Sequence, residues 1–205
     1  MADFRIEKKM MKEGYTWIAG VDEVGRGALF GPVVAAAVIL SETLIRRSLR
    51  GWVREIDDSK LLSPAKRKRL AKAILANAAS VGIGFATNYE IDQDNIYRAS
   101  LKAMRRAVEN LHIAPDFILV DGFGLDNVNY PQRAISKGDR KSITIAAASI
   151  VAKVLRDEMM MHMDRFFEGY CLSKNKGYGT KDHYLALREK GPTLFHRLSF
   201  NLRCE

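Results

Sequence analysis

Cysteine is nearly absent from this chain. Its 205 residues include two, Cys171 and Cys204, with no CxxC spacing and no His/Cys cluster. That excludes a structural zinc site and a disulfide framework, and leaves both side chains as plain thiols. Long apolar runs are missing too: the longest, residues 33–40 and 145–152, fall short of the roughly 17 to 25 residues that a membrane span requires. Residues 1–14 are rich in charge and lack the apolar stretch of a secretory signal, so the expected location is the cytoplasm. The four histidines, His112, His162, His183 and His196, show no HExxH or other ligand spacing, and are expected at the surface or at helix ends. No repeat or low-complexity tract occurs. Gly25 and Gly27 lack the third glycine that a dinucleotide-binding turn needs.

What is present is cationic and apolar in ordinary proportions. Thirty-three Lys and Arg against 24 Asp and Glu give a net charge of +9. Such a surface attracts a phosphate backbone by counterion release, although basicity alone also serves solubility. With 47% hydrophobic residues, a chain of this length buries roughly 70 to 75% of its unfolded surface and folds without staples. One domain over residues 1–205 is expected, with a core over about 16–160 and a helical extension over about 161–205.

Residues 17–24 and 33–40 are apolar runs separated by Gly25, Gly27, Gly31 and Pro32, the pattern of a β-hairpin. Ser63-Pro64 predicts a capped helix that fades near Ser80. Residues 81–87 predict a strand, and Asp92 is placed to cap a helix with Ile96, Ala99, Ala103, Met104, Ala107 and Leu111 on one face. Residues 117–120 and 132–136 predict two more strands. A helix is expected from Ser142 toward Phe167, and another over 181–190, stopped by Gly191-Pro192. Strands alternating with helices after an opening hairpin indicate an α/β domain with a mixed sheet.

The chemistry is concentrated where Asp22-Glu23 ends the first apolar run, directly ahead of Gly25-Arg26-Gly27. Carboxylates are the hard oxygen ligands that Mg²⁺ or Mn²⁺ prefers, and glycines let backbone N–H groups approach a sugar-phosphate chain. Adjacent strand residues point to opposite faces, so both acids reach one site only if the strand breaks there, and Gly25 offers the break. Taken singly, Asp121 also suits a strand-end turn, Asp139 an ordinary loop, Lys60 pairing with its neighbours, and Tyr178 packing on a loop. Asp57 and Asp58 read as a solvated turn. Asp157, Glu158 and Asp164 suit pairing with Arg156 or Arg165, or simple exposure. Residues 66–69, all basic, wrap around a helix start and suit a solvated face.

The stretch Asp22-Glu23-Val24-Gly25-Arg26-Gly27 resembles the opening signature of type 2 ribonucleases H, most closely the ribonuclease HII family. Further matches follow in order: Asp58-Ser59-Lys60-Leu61, Val120-Asp121-Gly122, Lys137-Gly138-Asp139 leading into residues 147–153, and Gly177-Tyr178-Gly179-Thr180. One departure is Ala28, where the family often has proline. The resemblance implies a ribonuclease H-like fold, a mixed sheet flanked by helices with a helical C-terminal region. It implies Asp22, Glu23, Asp121 and Asp139 as ligands of two divalent ions, Mg²⁺ or Mn²⁺. Gly25, Arg26, Gly27, Lys60 and Tyr178 are implied as substrate contacts, the glycine loop and Tyr178 selecting the ribose and its 2′-hydroxyl. The implied activity is hydrolysis of the RNA strand of RNA–DNA hybrids and nicking of duplex DNA 5′ of an embedded ribonucleotide, leaving a 5′-phosphate and a 3′-hydroxyl. A monomer is expected. The rivals are ribonuclease HIII, which usually carries an extra N-terminal domain and lacks the Gly-Arg-Gly loop, and a hybrid-binding protein that does not cut.

Overall fold

A computed structural model describes residues 2–47 and 50–203. Five strands form one mixed sheet: β1 (Ile18–Val24), β2 (Val33–Ile39), β3 (Ser80–Ala86), β4 (Phe117–Asp121) and β5 (Gln132–Ile135), in the order β3-β2-β1-β4-β5. The hairpin pairs are antiparallel, whereas β1 pairs with β4, and β4 with β5, in parallel. The expected fold class is therefore the observed one.

Strand alternation divides the core into two layers. On β2, Ala36 and Val38 belong to one apolar cluster and Ala35, Ala37 and Ile39 to another, as a period of two requires. The first layer is covered by α1 (Arg5–Lys12), α3 (Pro64–Asn77) and α6 (Ile143–Met163), the second by α5 (Ile96–Glu109). Four alanines in the first half of α6 permit close packing, and Gly20 on β1 permits it from the other side. A Cβ at Gly20 would overlap the backbone of Thr144 and Ile145. Helix α6 thus lies directly on the strand that carries Asp22.

Several expected boundaries shift. Ser63 caps α3 as expected, accepting from the Lys66 N–H, but the helix ends at Asn77 because Ser80 already begins β3. Asp92 caps nothing. Thr87 caps α4 (Asn88–Asp94) in a reciprocal box with Glu90, and Asn95, at φ 72°, caps α5. The Asp92 carboxylate instead accepts from the N–H groups of Leu198 and Ser199, holding the C-terminal tail. Helix α6 stops at Met163, four residues before Phe167. Four α-helices were not foreseen: α1, α2 (Glu42–Arg47), α4 and α7 (Leu172–Asn175). Helix α8 (Lys181–Lys190) ends at Gly191 as expected. Cys171 is a free thiol, and Cys204 lies outside the described residues. No helix among the described residues is long and apolar enough to cross a membrane.

Candidate active site

Parallel pairing brings the acids together. Val21 on β1 is in register with Val120 on β4, so the next residue of each strand, Asp22 and Asp121, emerges at the same sheet edge. Strand β1 ends at Val24, and Gly25 turns away at φ 95°. That break lets Asp22 and Glu23 serve one cleft despite their opposite strand faces. Asp139 arrives on a short helical turn, Gly138–Arg140, just ahead of α6. The Gly138 N–H donates to Asp121 Oδ1 at 2.5 Å, which ties the Asp139 turn to the end of β4.

All nine candidate residues, Asp22, Glu23, Gly25, Arg26, Gly27, Lys60, Asp121, Asp139 and Tyr178, line this one cleft of about 540 Å³. Burial pushes the Asp22 carboxyl well above the usual range, and the charges of Glu23 and Asp121 push it further. Glu23 is raised by burial as well; Arg26, whose Nη1 lies 3.4 Å from Glu23 Oε1, opposes this, and Asp121 adds to it. Asp139 is raised by burial, then by Asp121 and Asp58, with Lys60 and Arg140 acting in the opposite sense.

Mutual repulsion among buried carboxylates is what a divalent cation relieves, and an all-oxygen donor set suits a hard one. The donor chemistry therefore fits Mg²⁺ or Mn²⁺. As they stand, the acids are spread around the cleft: among the described residues no three acidic, histidine or cysteine side chains are already drawn together as an ion cage.

The rim opposite the acids is a cross-linked pair of loops. Ala28 bridges to Tyr178, and the N–H groups of Leu29 and Phe30 both donate to the Gly177 carbonyl, at 2.8 and 3.2 Å. These contacts hold the turn at Ala28 without proline. Beneath the rim lies the fully buried Arg156 guanidinium, which donates to the carbonyls of Phe30, Pro32 and Lys176. Its Cζ is 5.4 Å from the Tyr178 ring centroid, and Lys153 Nζ is 5.7 Å from it, both within cation–π range.

Other residues depart from the expectations. Asp58 is 1% exposed, not a solvated turn. It accepts from Arg140 Nε and Nη2 at 3.0 and 2.8 Å and from the Lys60 N–H at 3.0 Å, so it holds the cleft residue Lys60 and, through Arg140, the turn that carries Asp139. The basic run 66–69 is not simply solvated either: Arg67 is buried on the Ser59 and Leu62 carbonyls, Lys66 and Arg69 pair with Glu55, and Lys68 pairs with Glu158. Asp157 pairs with Lys153 and not with Arg156 or Arg165. His183 and His196 are buried, against the expectation of surface histidines. Ser149 and Lys153 were missed as cleft residues. Their i,i+4 spacing in α6, which puts them on one helical face, was the available signal.

The mixed sheet and its acidic edge define a nuclease of the ribonuclease H type. A solved structure similar to the chain, the ribonuclease H2 of Pyrococcus horikoshii, superposes with a TM-score of 0.73 at 25% identity, over 90% of this chain and 94% of the other. The chain belongs to the ribonuclease HII family, whose profile matches residues 19–203. Similar relatives include the ribonuclease HII of Acaryochloris marina, 51% identical over 93% of this chain and 95% of the relative, and that of Caldicellulosiruptor saccharolyticus, 44% identical over 96% and 93%. As a member it is a metal-dependent endoribonuclease acting on RNA–DNA hybrids.

Proposed function

We propose that Asp22, Glu23, Asp121 and Asp139 are the ion ligands of this hydrolase, and that it both cuts the RNA strand of hybrids and nicks duplex DNA 5′ of a single embedded ribonucleotide. The observation that carries this reading is the convergence of all four acids with the Gly25-Arg26-Gly27 loop and Tyr178 on one cleft. When bound, two Mg²⁺ or Mn²⁺ ions would activate the attacking water and stabilise the leaving 3′-oxygen. The acids hold their positions through the end of β1, the end of β4 and the Asp139 turn. Gly25 and Gly27 present backbone to the minor groove, where the 2′-hydroxyl lies, and Tyr178 faces the same sugar from the loop bridged to theirs. Lys60 and Lys153 stand where phosphates would pass. The same reading has the chain act in the cytoplasm as a monomer, one catalytic domain with a helical extension.

The test is a duplex carrying one ribonucleotide, incubated with the protein and Mg²⁺ or Mn²⁺. Cutting is expected to leave 5′-phosphate and 3′-hydroxyl ends and to cease in excess chelator; full activity in chelator would overturn the metal assignment. Asp121→Asn should abolish cutting while hybrid affinity stays within roughly threefold, because phosphate contacts dominate binding. Binding without cutting by the wild type would favour the non-cleaving reading. Tyr178→Ala should slow cutting at a single ribonucleotide at least roughly tenfold, and much less on an all-RNA strand, where neighbouring positions compensate for poor placement. An equal fall on both substrates would leave Tyr178 a packing residue.

A further inference from the structure

We propose that the buried pair His183 and His196 positions Tyr178 through a one-directional relay of neutral imidazoles; this rests on the reading of Tyr178 as the ribose sensor. Both ends of the relay are fixed by backbone groups that have no choice of role. The Thr193 N–H, a donor only, lies 2.9 Å from His196 Nδ1, so that nitrogen must be bare. The Tyr178 carbonyl, an acceptor only, lies 3.0 Å from His183 Nδ1, so that nitrogen must carry hydrogen. The two Nε2 atoms are 3.1 Å apart. One arrangement satisfies all three contacts: His196 Nε2–H donates to His183 Nε2, and His183 Nδ1–H donates to Tyr178.

A second proton breaks the chain wherever it lands. On His196 it would set Nδ1–H against the Thr193 N–H, and on His183 it would set two Nε2–H groups against each other. The Thr193 hydroxyl, which accepts from the Phe195 N–H, also lies 3.0 Å from His196 Nδ1 and can donate to it only while that nitrogen is bare, and the rings of Phe30 and Tyr170 meet His196 edge-on and tilted at 5.0 and 5.1 Å. Consistently, burial lowers both imidazoles, and His196 is held at about 4.

The relay ends on the backbone of the residue whose side chain reads the sugar. The Tyr178 carbonyl also accepts from the Thr180 N–H, and its own N–H donates to the Asn175 carbonyl. The His183 bond is the one of these three that comes from a side chain, and it links the sensor to the segment around His196. That segment in turn bridges to Phe30 on the glycine-loop side of the rim. The pair therefore couples the two substrate-reading loops without touching substrate.

Two measurements test this. In the ¹⁵N-histidine-labelled wild type at neutral pH, His196 should be the Nε2–H tautomer and His183 the Nδ1–H tautomer; identical tautomers, or a cationic ring at either position, would overturn the proposal. His183→Leu should lower kcat/KM at a single embedded ribonucleotide roughly tenfold and on an all-RNA hybrid by less than about threefold. His183→Asn, whose side-chain amide can replace the Nδ1–H donor, should recover most of the loss. Equal losses on both substrates, or no recovery with Asn, would make the pair a packing element. Should Tyr178→Ala itself show no substrate preference, the ribose-sensor reading fails, whereas a selective Tyr178→Ala beside an unselective His183→Leu sinks only the relay.

Discussion

At the residue scale, the acids oppose stability. Asp22 has a raised carboxyl, so the folded chain holds a proton that the unfolded chain releases; stability is greatest below the ordinary value of 3.8 and falls as pH rises through the raised one. At neutral pH the acid is therefore a net penalty to stability. Asp22→Asn should abolish cutting yet stabilise the protein by roughly 1–3 kcal/mol in chelator, seen as a higher melting temperature in calorimetry. A lower melting temperature would mean that the carboxylate is held by bonds the amide cannot make. The acids were legible because each stands in a short ordered motif. Asp58 was not, since its partner Arg140 is 82 positions away and Asp-Asp before Lys has the composition of a turn. His183 and His196 had no spacing to betray them; only the folding of the segment after α8 back onto its first turn makes them neighbours.

At the element scale, the N-terminal helix is anchored by one buried acid. Glu7 Oε1 accepts from Ser142 Oγ, the Thr144 N–H and Thr144 Oγ1 at 2.7, 3.0 and 2.9 Å, closing the start of α6, where a carboxylate also meets the helix dipole. Burial raises the Glu7 carboxyl, and the bonds from Thr144 and Ser142 oppose that rise. Glu7→Ala should cost about 3 kcal/mol by urea unfolding, by leaving buried donors unpaired, while Glu7→Gln, which keeps an acceptor, should cost less than about 1 kcal/mol. Equal costs would place the stabilisation in the charge. Helix α1 escaped the sequence reading because dense charge leaves little apolar periodicity in residues 1–14; the buried members, Glu7 and Met10, show their role only against α6. Helices α3 and α8 were legible from Ser63-Pro64 and Gly191-Pro192, local signals that no distant contact overrides. The cap expected at Asp92 fell to Asn95, whose side chain accepts from the Tyr97 and Arg98 N–H groups, while the Thr87/Glu90 box starts a separate short helix that includes Asp92.

At the scale of the whole molecule, acid should act first through the buried imidazoles, His196 and also His183, and then through Glu90. His196 is held near 4 against an ordinary 6.5, so the unfolded chain takes up its proton first, and stability is lost as pH falls from 6.5 through 4. Glu90, bonded to Arg106 and Lys102, is held at about 2 against 4.5, and its contribution disappears as pH falls from 4.5 through 2. The raised acids of the cleft act in the opposite direction. Melting temperature in chelator should decline between pH 6.5 and 4, and His196→Gln should be less stable at pH 7 but show a flatter decline; an unchanged slope would mean that another group dominates. The mixed sheet was legible because hairpin and crossover leave different patterns in sequence, whereas the rim was not, because it is built by residues far apart in the chain. Arg197 donates to the Arg26 and Gly31 carbonyls across separations of 171 and 166 positions. On the ribosome, the acids of β1 and β4 are made well before this clasp. A nascent chain that has emerged only to α8 holds all four acids proposed as ion ligands but lacks the clasp on the loop proposed to read the ribose, so on that proposal selective cutting waits until residue 197 has joined the fold.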